Sequence, residues 1–403
     1  MIKIGVIGTG TVGILAISHL LGYLNNDFKV VSIHDPNTKI LGVGESSQPA
    51  FLSSLYKGAN FKITEDAHEL DATIKLGGKW IDWRENPFTM TFLPPSMGMH
   101  FNNFKLKEFC FKRFKEIWGE KFEIIEGKVL ELKNINDSAV SVNIDQKIHI
   151  FDYIMDCRGF PEDYSDYNIL DSIPVNHALI YNNSTPGNWN TTINQAVKHG
   201  WMFHIPLQSR NASGYLYNDS ITSKKEVVDD MCKIFRLDEN ALNLKEFSFK
   251  NYRAKTYFDG RIMLNGNRAL FYEPIEALSN YMYDSINRNF FDYITITENN
   301  KTPNKFMIST INENISNLAT DTEIFINFAY HGGSTHNTKF WNITKDKCSL
   351  FLNQSLKWKN IKNEISKSSA NPGSIIAQWH IGHWKEWDEN LGYNYFKQPS
   401  KNG

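Results

Sequence analysis

The order of residues at the start constrains this chain most. Lys3-Ile4-Gly5-Val6-Ile7 is followed at once by Gly8-Thr9-Gly10-Thr11-Val12-Gly13, and then by apolar residues at helical spacing from Thr11 to Tyr23. A β-branched run, a glycine turn and an amphipathic run in that order read as strand, tight turn, helix. Glycines at these three spacings let the backbone approach a pyrophosphate, which a helix N-terminus attracts through its free N–H groups and dipole. Lys29 to Ile33 reads as the next strand, ending near Asp35. An acid about twenty residues past the turn sits where it can accept hydrogen bonds from an adenosine ribose. The bland alternative is a tight turn without a ligand; with this flanking pattern the reading is a dinucleotide site. The motif alone does not separate NAD from FAD.

With 403 residues the chain is long enough for two intertwined domains. Its 43 Lys and Arg nearly cancel 44 Asp and Glu, so no global field draws it to nucleic acid or an anionic membrane. The partner implied is a small molecule. Cys110, Cys157, Cys232 and Cys348 contain no C-x-x-C pair, which argues against a zinc site or a disulfide framework. The N-terminus lacks the basic and apolar regions of a leader, and no span of 18 apolar residues occurs. These features together imply a cytoplasmic protein. His380-Ile381-Gly382-His383 has helical spacing but no evident third ligand, and the neighbouring tryptophans suggest packing; His331 to His336 reads as a glycine-rich turn.

After Asp35 an irregular stretch runs to Pro49, and a helix-compatible segment leads to Lys75. Pro94-Pro95 forces a turn or an edge between Met90 and Gly98. Alternation between Phe122 and Ile154 suggests antiparallel strands ahead of Asp156-Cys157-Arg158-Gly159. Pro174 to Asp219 reads as a second sheet and Ser223 to Arg236 as a helix, while Phe247 to Leu264 returns to Gly266-Asn267-Arg268-Ala269 ahead of a long helix from Ile275. The tail from Lys397 reads as loose. The abundance of Asn, Lys and Ile suggests an AT-rich source genome, such as that of a phage or a marine bacterium.

Gly42-Val43-Gly44-Glu45-Ser46-Ser47-Gln48-Pro49 offers two glycines beside small polar residues, enough for a strap flat against a cofactor ring or for an ordinary loop. Beyond it come Lys75, Lys79, Trp80 and Trp83, then Phe92-Leu93-Pro94-Pro95-Ser96-Met97-Gly98. In this order the three stretches resemble the flavin-dependent halogenases of the tryptophan-halogenase type, whose patterns are G-V-G-E-[AS]-T-x-P, K-x-x-x-K-[FW]-x-x-W and F-x-P-x-S-x-G. Gly200-Trp201-Met202-Phe203-His204-Ile205-Pro206 resembles W-x-W-x-I-P with phenylalanine for the second tryptophan. Asp156-Cys157-Arg158-Gly159 resembles D-C-S-G, and Glu273-Pro274-Ile275-Glu276-Ala277-Leu278-Ser279 resembles E-P-L-E-S-T-G. The likeness runs to about residue 290, and the remainder finds no match by motif.

The resemblance implies an α/β fold: an FAD-binding Rossmann-like domain of the single-component flavin monooxygenase type, a second, sheet-containing substrate domain and a helical C-terminal part. The implied division is 1–115 for FAD, rejoined by about 150–165 and 255–295; 166–254 for the substrate-domain sheet and helices; and 296–403 as a helical region covering the substrate. It implies reduced FAD, oxygen and halide giving hypohalous acid, with Lys75 and Glu276 catalytic. FAD-binding residues are then Gly8, Gly10, Thr11, Val12, Gly13, Asp35, Gly42, Val43, Gly44, Glu45, Ser46, Asp156 and Gly266. Halide falls to the backbone of Leu278 and Ser279, where leucine adds bulk and serine in place of glycine restricts φ; the weaker hydration and easier oxidation of larger halides suggest bromide or iodide over chloride. Phe92, Pro94, Ser96, Trp201, Phe203, Ile205 and Pro206 are implied to line the substrate side or the tunnel. Partners are a small electron-rich aromatic, indole or phenol type, and a separate flavin reductase, with room for a homo-oligomer. The rival readings are a flavin-dependent aromatic hydroxylase and a non-catalytic flavin-binding relic.

Overall fold

A computed structural model describes residues 1–24, 27–39, 42, 45–135, 138–297, 304–367 and 373–396. The labelled elements begin with β1 (Ile2–Ile7), α1 (Thr11–Tyr23), β2 (Phe28–His34), β3 (Glu45–Ser46), α2 (Pro49–Ala59), β4 (Thr73–Lys75), β5 (Gly77–Ile81), β6 (Phe88–Thr91), β7 (Gly98–Phe101), α3 (Asn103–Trp118) and β8 (Phe122–Glu126). They continue with β9 (Tyr153–Asp156), β10 (His177–Asn183), β11 (Thr192–Val197), β12 (Gly200–Pro206), β13 (Asn211–Tyr217), α4 (Lys224–Phe235), β14 (Leu244–Ser248) and β15 (Ile262–Leu264). Helices α5 (Leu278–Thr297), α6 (Lys305–Tyr330), α7 (Lys339–Gln354), α8 (Leu356–Lys367) and α9 (Ile381–Asn390) complete them.

The first sheet has the order β15-β9-β1-β2-β8, and every pairing in it is parallel. Buried β-branched residues such as Ile4, Val6, Val30 and Val31 fit strands covered on both faces. α1 and α3 pack on this sheet side, while a three-stranded antiparallel sheet built from 129–151 inserts between β8 and β9. The second large sheet, β14-β10-β13-β12-β11-β5-β6, is mostly antiparallel, with β5 and β11 running parallel. Strands from within the first 115 residues are therefore split: β1 and β2 build the first sheet, whereas β5 and β6 extend the second.

A third, small sheet joins the two. In the order β3-β7-β4 it pairs Ser46 with His100 and His100 with Thr73, so three polar residues stand in one row across it. The segment before Lys75 forms α2 and a further short helix, Ile63–Asp66, and the lysine itself lies on β4. Ser223 caps α4 through a reciprocal box with Glu226, which explains why that helix starts one residue past its sequence signal. Beyond α5 the described chain is helical apart from a two-stranded ribbon, and it buries Trp341, Trp358, Trp384 and Trp387. His331 lies tilted against Tyr393 with ring centroids 4.0 Å apart, and the His380 and His383 ring centroids lie 5.7 Å apart beside Trp379. No helix of the described residues is long and apolar enough to cross a membrane. The tail from Lys397 lies outside the described residues.

Candidate active site

One cavity of about 1420 Å³ touches both the glycine turn and Lys75. At the turn, Gly8 has φ +97°, and a Cβ there would meet Cys157 O at 2.5 Å. A Cβ on Gly13 would meet Gly8 O at 1.9 Å, so the strand-to-helix corner closes only with glycine at both positions. Gly10 is the N-cap of α1 and offers no side chain to its first turn, and nothing lies within 4 Å of where its Cβ would be. Anion-seeking N–H groups and open space thus coincide, and Thr11, Val12, Gly13, Asp35 and Gly266 share the cavity wall. This cradle fits a dinucleotide.

Asp156 ends β9 beneath the turn with its side chain 2% exposed. Arg158 pairs with it through Nε at 2.9 Å and Nη2 at 2.7 Å, and Arg268 approaches at 3.6 Å. Both arginines line the cavity, while Asp156 is the buried carboxylate that orients them. Sequence reading noted Asp156 and passed over the pair. Of the strap, Glu45 and Ser46 line the cavity, and Gly42 is buried where a Cβ would strike the Phe104 ring at 1.8 Å. Val43 and Gly44 lie outside the described residues.

Lys75 is 1% exposed. Lost solvation pulls its ammonium down to about 8, against a counter-pull from the Glu276 carboxylate. Burial raises Glu276, opposed by the Lys75 charge and by hydrogen bonds from Trp80 and Asn194. Trp80 Nε1 donates to Glu276 Oε1 at 2.6 Å and Asn194 Nδ2 donates to the same oxygen at 2.9 Å. A Cβ on Gly78 would meet that oxygen at 2.3 Å, which explains a glycine in β5 directly before Lys79 and Trp80. Lys75 and Glu276 form no ion pair within 4.0 Å; they share a cavity wall and a field. Glu276 and Ala277 hold φ of +52° and +54°, a strained conformation for side-chain-bearing residues. Gln48 Nε2 fixes this corner by donating to Glu276 O at 2.6 Å.

The other expected site residues separate. Ser279 lines the cavity, but Leu278 is buried and its N–H donates to Ile275 O, so that donor is already engaged. Trp201, Phe203 and Ile205 share one face of β12, and Phe203 and Ile205 reach the cavity. Trp201 instead donates from Nε1 to Glu273 Oε2 at 2.8 Å. The Pro206 carbonyl accepts from Thr73 Oγ1. The Phe92 ring centroid lies 5.4 Å from Lys75 Nζ, and Pro94 and Ser96 sit on the exposed loop that follows.

A nucleotide cradle and a buried, strained lysine–glutamate wall on one cavity describe an arrangement that comparison with known proteins identifies. The family model for tryptophan halogenase matches residues 3–153 and 123–365. The chain belongs to the tryptophan halogenase family. It is therefore an enzyme, a flavin-dependent halogenase working with reduced FAD, oxygen and halide. Tryptophan 7-halogenase RebH of Lentzea aerocolonigenes is 22% identical over 97% of this chain and 87% of its own length. The fold matches a tryptophan halogenase from Shewanella frigidimarina (TM-score 0.81, 15% identity, 100% of this chain and 91% of that one). It also matches BrvH, a flavin-dependent halogenase from Brevundimonas sp. BAL3 (TM-score 0.79, 15% identity, 97% and 90%). These matches correct the limit near residue 290: the likeness to the halogenase family continues through the helical part. No short motif marks it there because helices pack through apolar spacing rather than through contiguous signatures. Within the halogenase site, Asn194 was missed for lack of any local signal, and Gln48 lay unremarked inside the strap.

Proposed function

We propose that this halogenase delivers hypohalous acid through Lys75 to an electron-rich aromatic carbon of an indole or phenol. The observation that carries the reading is Lys75 and Glu276 buried on the same cavity wall as the dinucleotide cradle. When bound, reduced FAD would supply the two electrons that bring oxygen to the peroxide level, and that activated oxygen would oxidise halide to hypohalous acid. Gly8 to Gly13, Asp35 and the two arginines oriented by Asp156 would hold the cofactor; Phe203 and Ile205 form a wall that keeps a bulky aromatic from it. Ser279 lines the halide subsite, and bromide or iodide is favoured over chloride because the larger halides are more weakly hydrated and more easily oxidised.

Below pH 8 Lys75 is mainly an ammonium, able to hydrogen-bond the oxygen of hypohalous acid and make the halogen more electrophilic. The aromatic carbon forms its bond to halogen as the oxygen–halogen bond breaks, and the ammonium gives a proton to the departing hydroxide. Glu276 Oε1 is filled by two N–H donors, which leaves Oε2 to take the proton lost from the ring carbon. The exposed loop beyond Phe92, with Leu93 51% exposed, supports an open substrate face. Four cysteines without disulfides support a cytoplasmic setting. A separate reductase feeds the cavity. Sheet membership supports one change to the division of the chain, with β5 and β6 counted in the substrate domain.

The test is incubation with FAD, a flavin reductase, NADH, each halide alone and a panel of indoles and phenols, read by product mass. Mass gained as halogen, lost in Lys75→Ala with FAD binding kept, supports the reading. Mass gained as oxygen would assign a hydroxylase, and no product in any combination would leave a flavin-binding relic.

A further inference from the structure

Beside Lys75 runs a buried chain of polar side chains that the reaction described above does not use. Ser46 Oγ lies 3.0 Å from Thr192 Oγ1, which lies 2.9 Å from His100 Nε2. His100 Nδ1 lies 3.1 Å from Thr73 Oγ1, and Thr73 Oγ1 donates to Pro206 O at 2.8 Å. Ser46 and Thr192 stand on the cavity wall, whereas His100 is fully buried. Taken singly, three of these four contacts have no defined direction. Taken together they have only one.

A carbonyl cannot donate, so the Thr73 proton goes to Pro206. Thr73 can then only accept from His100, which fixes its proton on Nδ1 and leaves Nε2 as an acceptor. Thr192 must donate to Nε2, and Ser46 must donate to Thr192. Four protons fill four contacts. A neutral imidazole is required, and burial, with the charge of Lys75, holds His100 well below its ordinary value. Ser46 thus spends its only hydrogen inward and offers lone pairs alone to whatever occupies the cavity.

Resting on the reading that this cavity holds FAD with the strap against its ring, we propose that Ser46 is an acceptor-only contact that selects reduced FAD over oxidised FAD. A flavin's N5 carries a hydrogen when reduced and a bare lone pair when oxidised. An acceptor-only oxygen satisfies the first and opposes the second, and an unmatched buried polar pair is penalised more than a matched pair is rewarded. An enzyme that must capture reduced flavin from a separate reductase, and release the oxidised form, gains from such a filter.

The experiment measures Kd for oxidised FAD, Kd for reduced FAD under anaerobic conditions, and the midpoint potential of the bound cofactor in wild type, Ser46→Ala and Thr73→Val. The expected wild-type ratio of oxidised to reduced Kd is well above one. Ser46→Ala should lower it about ten-fold, which for a two-electron couple is about 30 mV. Thr73→Val should lower it too with Ser46 in place, because His100, left without an acceptor at Nδ1, moves its proton to Nε2 and reverses the chain. An unchanged ratio in both variants, with FAD still bound, overturns the inference alone. Failure of the wild type to bind either form would overturn the cofactor reading as well. Should Thr73→Val not fold, Ser46→Ala decides.

Discussion

The two ends of the cavity are built on different principles. At the nucleotide end the backbone makes the site: a glycine corner, an uncapped helix start, and charged side chains still partly in water. At the Lys75 end side chains make it: a buried ammonium, a buried carboxylate, and a strained Glu276–Ala277 corner clamped by residues from three separate segments. A site made of backbone tolerates most side-chain change but no Cβ at its corners. The other kind tolerates neither loss of charge nor loss of the groups that hold it.

This contrast can be broken most sharply at Lys75. Lys75→Ala should cut halogenation by about 1,000-fold or more, the range for a positioned acid, while a fluorescence titration finds FAD affinity within about two-fold of wild type, since backbone dominates that end. If the ammonium is the acting form, the halogenation rate falls as pH rises through about 8; a rate rising through that window would give the step to the neutral amine. Gly13→Ala should do the reverse, weakening FAD by about 100-fold because the new Cβ meets Gly8 O, with the same titration as the check. Trp80→Phe removes one donor from Glu276 and should lower turnover about ten-fold, the value of a hydrogen bond to a charged group, with little change in FAD affinity. Equal losses in turnover and FAD affinity would mean that the two ends are not separable.

The smallest effect expected lies behind the wall. Burial pushes Glu273 up to about 8, against a hydrogen bond from Trp201. From its unfolded value near 4.5 up to about 8, the unfolded chain sheds this proton while the folded protein keeps it, so folding loses stability as pH rises through that window. Glu273→Gln should remove this slope and raise Tm by a few degrees at pH 8 with turnover unchanged. A Tm difference independent of pH would show that Glu273 does not stay protonated in the fold.

Much of the nucleotide end was legible because its function is local. Gly8, Gly10 and Gly13 act through their own backbone, and the strand and helix on either side announce themselves by spacing. Lys75 was legible only through the order of motifs around it, for a lysine followed by two glycines has no chemistry of its own. The placement of Lys75 on a strand, the role of Gly78 and the engaged N–H of Leu278 emerged only when β5, β7 and the Glu276 corner met.

The sequence by itself determined the dinucleotide corner with its flanking strand and helix, and the family likeness of the strap, the lysine and the carboxylate, because each is encoded within a few consecutive residues. Tertiary structure decided that Trp80 and Asn194 hold Glu276, that two arginines bracket Asp156, and that a carbonyl at Pro206 sets the direction of every proton back to Ser46. Those facts depend on groups far apart in the chain, whose burial together fixes their charge and hydrogen-bonding state.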